Sequence, residues 1–183
     1  EMRDKETTRI GIEASLTGHL VFSTLHTNSA PESITRLLDM GMDPFNFADA
    51  ILAIMAQRLV RTLCKACRKP YHPTRDEYDN LVRIYEPEAF EKSLNIPYTD
   101  DLTLYAPEGC DQCNNTGYQG RMAIHELLMG TDDIKRLIQT KGRIEEIREQ
   151  AMLDGMSTLK QDGIEKIFEG YTDLVQVRKV TIR

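Results

Sequence analysis

The sequence predicts an α/β protein with a four-cysteine metal-binding subdomain and a helical C-terminal subdomain. A short apolar run, residues 20–25, lies between segments of helical spacing, as in layered α/β cores. Four cysteines then form two C-x-x-C pairs that bracket a segment rich in turns. After this segment, apolar residues recur at helical spacing to the end of the chain. These changes divide the chain into residues 1–61, 62–121 and 122–183.

The composition is that of an ordinary soluble protein and excludes several classes. A net charge of −6 argues against a nucleic-acid partner, because such modules normally carry a basic surface. No apolar run approaches the roughly 18–20 residues that cross a bilayer, and no signal sequence is present. Paired cysteines without an export signal favour a reducing cytoplasm. The chain opens on Glu1 rather than Met, so we expect a fragment of a longer protein.

The first two elements are predicted from a cap, a glycine and an apolar run. Asp4 is a good N-cap for a helix over 4–17, and Gly18 is a good stop. Residues 20–25 follow as a run bounded by polar residues, which predicts a buried strand.

Two more helices are predicted before residue 61. Asn28 or Ser29 caps one of them, and Gly41 ends it. The other opens at Pro44 and contains residues 50–56, which are nearly all apolar. A helix that is apolar on every side is usually buried, and this one is too short to span a membrane.

The remaining elements are predicted to be helical. Residues 76–93 form an insert between the cysteine pairs, and the chain returns to helix after Arg121. Caps and apolar spacing place the later helices at 132–140, at 143–153, from Ser157 to Gly170, and after a cap at Thr172.

The cysteine pairs predict a zinc site. Cys64, Cys67, Cys110 and Cys113 supply the four thiolates that tetrahedral zinc prefers, and a closed set of four protein ligands makes the site structural. Two disulfides or four unrelated buried thiols are the alternatives. The 42-residue spacer exceeds the roughly 15–20 residues usual between such pairs, so it must contain an insert. The insert has few large apolar side chains, so we expect the metal to supply its cohesion.

A second group of candidate residues surrounds the predicted strand. Glu1 and Arg3 stand at the start of the chain, and His19 and His26 flank residues 20–25. A histidine at the carboxyl end of a strand in an open α/β sheet points into the ligand crevice. The alternative is a surface ion pair with two capping histidines.

Several sequence blocks occur in order along the chain. They are Glu-Met-Arg-Asp at the start, Thr17 to Asn28, Asp39-Met40-Gly41, Gln57 to Arg61, both C-x-x-C pairs, and Gly117-Tyr118-x-Gly120-Arg121. Together these blocks resemble the type II secretion and type IV pilus assembly ATPases. The retraction ATPases of the same superfamily share the histidine block but typically lack the cysteine pairs, so the resemblance is to the secretion and assembly branch.

The resemblance implies a role for each candidate residue. Glu1 matches the Walker B glutamate, which activates the water that attacks the γ-phosphate. His19 and His26 match the ends of a histidine box that senses this phosphate. Arg3 matches an arginine near the subunit boundary, and Arg121 one that closes the metal domain against the nucleotide core. A solvated turn arginine is the alternative for Arg121.

The resemblance also implies the architecture and partners of the intact protein. These are a RecA-like P-loop core, ATP and Mg, a hexamer in the cytoplasm at the inner membrane, and platform and cytoplasmic docking proteins. No G-x-x-x-x-G-K-[ST] loop occurs in these 183 residues, so the fragment is predicted to be inactive. The alternative function is a stand-alone zinc-ribbon module for protein interactions. A nucleic-acid-binding zinc module is disfavoured by the acidic charge.

Overall fold

The computed structural model describes residues 1–181, and the chain divides into two compact units. The helical unit consists of Glu1–Ala56 and Glu126–Ser157, and the cysteine unit of Gln57–His125 and Thr158–Arg183. Each unit thus combines two separate stretches of the chain. The three-part division at residues 61 and 121 stays a prediction.

Three of the predicted helices in the helical unit are confirmed at their N-terminal ends. They are α1 (Lys5–Leu16), α2 (Ala30–Asp39) and α3 (Pro44–Ala50). Asp4, Ser29 and Asp43 precede these helices in extended conformation, and each side chain accepts a backbone N–H of the first turn. These short polar side chains replace hydrogen bonds that the first turn of a helix cannot make internally.

The predicted strand at residues 20–25 is wrong. The segment has no strand partner among the described residues. The carbonyl of Thr24 instead accepts a hydrogen bond from the backbone N–H of Met2 at 2.9 Å. Leu20 is 69% exposed and Phe22 is 88% exposed, so the apolar run is not buried here. An apolar run becomes a strand only when neighbouring backbone pairs with it.

The helical assignments of residues 50–56 and of the stretch after Arg121 are also wrong. Helix α3 ends at Ala50, and residues Ala53–Leu63 form β1, with more and less exposed side chains alternating along its first half. Residues Tyr118–Met129 form β4, and β1 and β4 make a two-stranded sheet. Alternation with period 2 is the signature of a strand with one covered face, and a continuous apolar run hides it in the sequence.

Helices α6 (Asp132–Gln139) and α7 (Ile144–Leu153) complete the core of the helical unit. Helix α6 packs on α3, and α7 packs on α2. The most deeply buried side chains, each with no exposed surface, include Ile34, Leu128, Ile134, Ile138 and Ile147. Burying one such side chain contributes roughly 1.5–3 kcal/mol.

The cysteine unit has its own core, in which aromatic rings pack together with buried aliphatic side chains. Helices α4 (Arg75–Tyr85) and α5 (Pro87–Ser93) confirm the helical insert, although it is broken at Glu86, where φ is 79°. Strand β2 (Lys69–Tyr71) pairs antiparallel with β3 (Leu104–Ala106). The rings of Tyr78 and Phe90 pack edge to face at 6.1 Å. Aromatic side chains thus contribute to the cohesion of the insert, and the contribution expected from a metal stays a prediction.

Helices α8 (Leu159–Phe168) and α9 (Leu174–Thr181) close the cysteine unit. The predicted start of α8 at Ser157 is two residues early, and the predicted cap Thr172 is one residue early. Thr158 caps α8, and Asp173 accepts the N–H of Gln176 at 3.0 Å at the start of α9. The buried Thr172 instead donates its hydroxyl to the carbonyl of Arg61 at 2.8 Å.

Substitution of Gly163 in α8 tests how closely the two final helices pack. A Cβ added at Gly163 would lie 2.6 Å from Cγ1 of Val177 on α9. We expect Gly163→Ala to lower the free energy of unfolding of the cysteine unit by about 1–3 kcal/mol, because the added methyl overpacks this contact. All seven tyrosines lie in the cysteine unit and the chain has no tryptophan, so urea denaturation followed by tyrosine fluorescence reports on this unit.

Gly11→Ala in α1 is the matched control. Its added Cβ would meet the flexible end of Met2, which can move, and the helical unit contains no tyrosine, so the tyrosine-detected unfolding should stay unchanged. Adding Val177→Ala to Gly163→Ala should restore much of the lost stability. Close packing is refuted if Gly163→Ala is neutral, or if the double variant loses the sum of the two single effects.

Candidate active site and metal centre

Three of the predicted residues come together in the helical unit. The Glu1 carboxylate binds Nη2 of Arg3 at 2.7 Å through Oε2, and Nε2 of His26 at 2.9 Å through Oε1. The Glu1 side chain is 24% exposed, whereas that of His26 is 91% exposed. The carboxylate is thus the covered centre of the cluster, and the histidine ring is open to solvent.

The cluster keeps Glu1 ionised. The hydrogen bond from Arg3 lowers the pKa of the Glu1 carboxyl below its usual range, and the charges of Arg3 and His26 act in the same direction. Burial opposes this shift only in part. At neutral pH the group is therefore a carboxylate, which accepts hydrogen bonds and can orient a water molecule.

Backbone contacts place these side chains beside a cavity. The bond between Met2 and Thr24 ties the first residues of the chain to the segment that ends in His26. The cavity has a volume of about 270 Å³ and is lined by Glu1, Met2, Arg3, Leu25, His26, Arg36 and Met40. The sequence analysis missed Arg36 and Met40. The two residues lie four positions apart in one predicted helix, which was a signal that they share a face.

His19 and Arg121 are not part of this cluster in the structure. The Nδ1 atom of His19 lies 3.1 Å from the carbonyl of Ala14 and 3.4 Å from the hydroxyl of Thr17, just beyond the end of α1. Arg121 is exposed on β4 and belongs to the cysteine unit. Their roles stay predictions.

The four cysteines converge in the cysteine unit. All four sulfurs lie within 4.8 Å of one another. The Sγ atoms of Cys64 and Cys110 are 3.9 Å apart, and those of Cys67 and Cys113 are 3.8 Å apart. Zinc bonded to four sulfurs at about 2.3 Å would separate them by about 3.8 Å. All four thiols are free, so the geometry fits a tetrahedral ion rather than two disulfides.

Backbone N–H groups point at these sulfurs. Gly109 donates to Sγ of Cys67 at 3.3 Å, and Cys110 and Gly117 donate to Sγ of Cys113 at 3.2 and 3.3 Å. Burial raises the pKa of Cys113, but the two N–H donors together with the thiols of Cys110 and Cys67 outweigh it and lower this pKa to about 6. Such donors around a ligand set stabilise the thiolate form that binds metal.

Gly117 is needed at this turn. Its φ is +77°, and a Cβ there would lie 2.5 Å from Cβ of Pro107. Any other residue would therefore strain the backbone and move the N–H away from Cys113.

Among residues 1–181, no helix is both long and apolar enough to cross a membrane.

Comparison with solved structures shows the fold. The crystal structure titled as the pilus retraction motor PilT with bound ADP matches all of this chain and 38% of its own, with a TM-score of 0.61 and 21% identity. The Legionella pneumophila ATPase DotB matches 98% of this chain and 36% of its own, with a TM-score of 0.58 and 19% identity. The α/β fold of the chain is thus similar to that of these ATPases.

Sequence relatives and a family model cover almost the whole chain. Type II secretion system ATPase E of Vibrio cholerae is 40% identical over 181 residues, which are 99% of this chain and 33% of the relative. Type IV pilus assembly ATPase PilB of Thermus thermophilus is 42% identical over 183 residues, or 100% of this chain and 19% of the relative. The chain thus spans a third or less of these proteins. The family model described as type II/IV secretion system protein matches residues 1–179. The chain belongs to this family of secretion-system proteins.

Proposed function

We propose that the chain is the C-terminal part of an ATPase that powers type II secretion or type IV pilus assembly. The observation that carries this proposal is the ionised Glu1 carboxylate, held by Arg3 and His26 at the edge of a cavity. The family match includes residues 1–61 as well as the cysteine segment, which favours the motor over a stand-alone zinc-ribbon module.

The cluster has the parts that phosphoryl transfer requires from a protein. Such a reaction depends on an oriented nucleophile and on positive charge near the phosphate oxygens. Glu1 orients the attacking water, and Arg3 places a cation beside it. His26, open to solvent and bonded to Glu1, can report whether the γ-phosphate is present, with His19 at the other end of the histidine box. Arg121 is proposed to close the metal domain against the nucleotide core.

The proposed catalytic site is incomplete in these 183 residues. The sequence has no G-x-x-x-x-G-K-[ST] loop, whose backbone and lysine would hold the phosphates of ATP with Mg. That loop, in a RecA-like core, would have to come from the rest of a longer protein. A hexamer would bring the boundary arginines of one subunit to the nucleotide of another.

The proposed setting is the cytoplasmic face of the inner membrane. There the hexamer would contact a docking protein and drive a platform protein, so that pseudopilin or pilin subunits leave the membrane. Nucleic acid is not a proposed partner, because the net charge of −6 gives no basic surface for one.

The proposed metal is structural zinc. Four cysteine ligands leave no open position for water or substrate, so the ion would tie the two C-x-x-C turns together and take no part in hydrolysis.

Replacing Glu1 in the intact protein tests the proposed motor. Glu1→Gln should lower kcat for ATP hydrolysis at least about 100-fold while nucleotide still binds, because an amide cannot orient and activate water as a carboxylate does. Phosphate release measures hydrolysis, and a fluorescent ATP analogue measures binding.

Glu13→Gln is the matched control for that experiment. Glu13 pairs with Arg9 on the exposed face of α1 at 2.6 Å, so this variant removes an ion pair of the same unit away from the cavity. It should hydrolyse ATP like the wild type. Wild-type turnover in Glu1→Gln would refute the role of Glu1.

The 183-residue chain by itself should show no ATP turnover, because the phosphate-binding loop is missing from its sequence. The same phosphate-release assay measures this. The prediction would be contradicted if the fragment hydrolysed ATP and its Glu1→Gln variant did not.

Substitution of one cysteine tests the metal site. The purified chain should contain about one zinc, and Cys110→Ser should lose most of it, because its sulfur lies 3.8–3.9 Å from those of Cys64 and Cys113. Amide exchange should accelerate in the cysteine unit, while the helical unit keeps its protection. Elemental analysis and hydrogen exchange measure the two effects.

Gln112→Ala is the control for Cys110→Ser, because Gln112 is exposed within the same C-x-x-C turn and offers no sulfur. It should keep the metal and the exchange pattern. Full zinc content in Cys110→Ser, or equal loss of protection in both units, would overturn the structural-zinc proposal.

A further inference from the structure

Glu126 is a buried carboxylic residue that none of the proposed roles uses. It lies on β4, in the part of the strand that belongs to the helical unit, and is only 4% exposed. Its Oε1 atom accepts the backbone N–H of Ala30 at 2.8 Å. Ala30 is the first residue of α2 and has no exposed surface, so this bond is shielded from water.

The bond satisfies one of the N–H groups that the first turn of α2 cannot satisfy internally. A carboxylate is the favoured acceptor there, because it also meets the positive end of the helix dipole. Ser29 accepts the N–H of Glu32 at 3.3 Å, and the carboxylate of Glu32 accepts the N–H of Asn28 at 2.9 Å. The Glu126 bond is the one in this group that comes from a distant part of the chain.

The start of α2 is also where the cavity is built. His26, which contacts Glu1 at 2.9 Å, precedes Ala30 by four residues. Arg36 of helix α2 and Met40, which follows its last residue, line the same cavity. Because four residue steps span at most about 13–14 Å, the position of the helix start limits where His26 can lie.

We propose that Glu126 is a positioning residue for the Glu1–His26 cluster. Its carboxylate fixes the first turn of α2, and through it both His26 and the Arg36 side of the cavity. The inference about position stands on the structure, and its consequence for turnover rests on the proposed ATPase function. Glu126 does not touch the cavity, so it acts through α2 and not on the substrate.

Three variants of Glu126 test separately the hydrogen-bond acceptor, its negative charge and the length of the side chain. Glu126→Met removes the acceptor at similar length, Glu126→Gln keeps an oxygen acceptor without charge, and Glu126→Asp withdraws the carboxylate by one methylene. The 183-residue chain is used to measure amide exchange at Ala30, and the intact protein to measure kcat and KM for ATP.

Loss of the bond should loosen the helix start and slow turnover together. We expect Glu126→Met to speed exchange of the Ala30 amide about tenfold or more, since a lost buried hydrogen bond is worth about a factor of ten. Its kcat should fall about tenfold with KM changed less than about threefold, because position rather than binding is lost. Glu126→Asp should lie between Met and wild type, and Glu126→Gln should stay within about threefold of wild type.

Asp43→Ala is the matched control. Asp43 caps α3 by accepting the N–H of Asn46 at 2.9 Å, so its loss removes a similar bond from the same unit. Helix α3 contributes no residue to the cavity lining. Asp43→Ala should therefore lower the melting temperature while kcat stays within about twofold of wild type, since a helix cap is worth only about 1 kcal/mol of stability.

The proposal is overturned if Glu126→Met exchanges Ala30 at the wild-type rate. It is also overturned if Asp43→Ala lowers kcat as much as Glu126→Met does when the two variants lose the same amount of melting temperature. If Glu126→Met does not fold, Glu126→Asp decides, and wild-type exchange and kcat in that variant would refute the proposal. If the intact wild-type protein hydrolyses no ATP, the proposed function fails, whereas the exchange measurement still tests the positioning.

Discussion

Buried polar groups in both compact units find their partners in distant parts of the chain, and the rest of the structure depends on this pairing. In the helical unit, the Glu126 carboxylate meets the N–H of Ala30 across 96 residues. In the cysteine unit, the hydroxyl of Thr172 meets the carbonyl of Arg61 across 111 residues. An unpaired buried group costs about as much as a good hydrogen bond contributes, so these contacts fix each unit strictly.

In both candidate sites, neighbouring groups stabilise negative charge on a side chain that is buried or partly buried. At the cavity, Arg3 and His26 hold the Glu1 carboxylate in its ionised form. At Cys113, backbone N–H groups do this for sulfur. The first arrangement leaves a solvent-open histidine beside the carboxylate, as a reactive site needs. The second supplies four ligands from buried or partly buried cysteines, as a structural site needs.

Local features of the structure could be predicted from the sequence, and non-local ones could not. The cap at Asp4 depends on neighbouring residues, and the convergence of the four sulfurs was signalled by two C-x-x-C pairs that are each local in sequence; both were predicted correctly. Residues 50–56 were predicted as helix because their apolar run lacks a visible period, whereas they enter a strand paired with β4, far along the chain. The predicted strand at residues 20–25 was wrong for the opposite reason, because no described strand pairs with this apolar segment. Nothing in a single sequence indicates that Glu126 accepts the N–H of Ala30.

The discontinuous make-up of the units has a consequence for how the chain can fold during synthesis. Helices α2 and α3 leave the ribosome about 80 residues before α6 and α7, which pack against them. At about 5–20 residues per second, that interval lasts several seconds. The nascent chain therefore exposes Ile34 and its neighbours throughout this time, which makes this stretch of synthesis the point at which chaperone binding would have the greatest effect on yield.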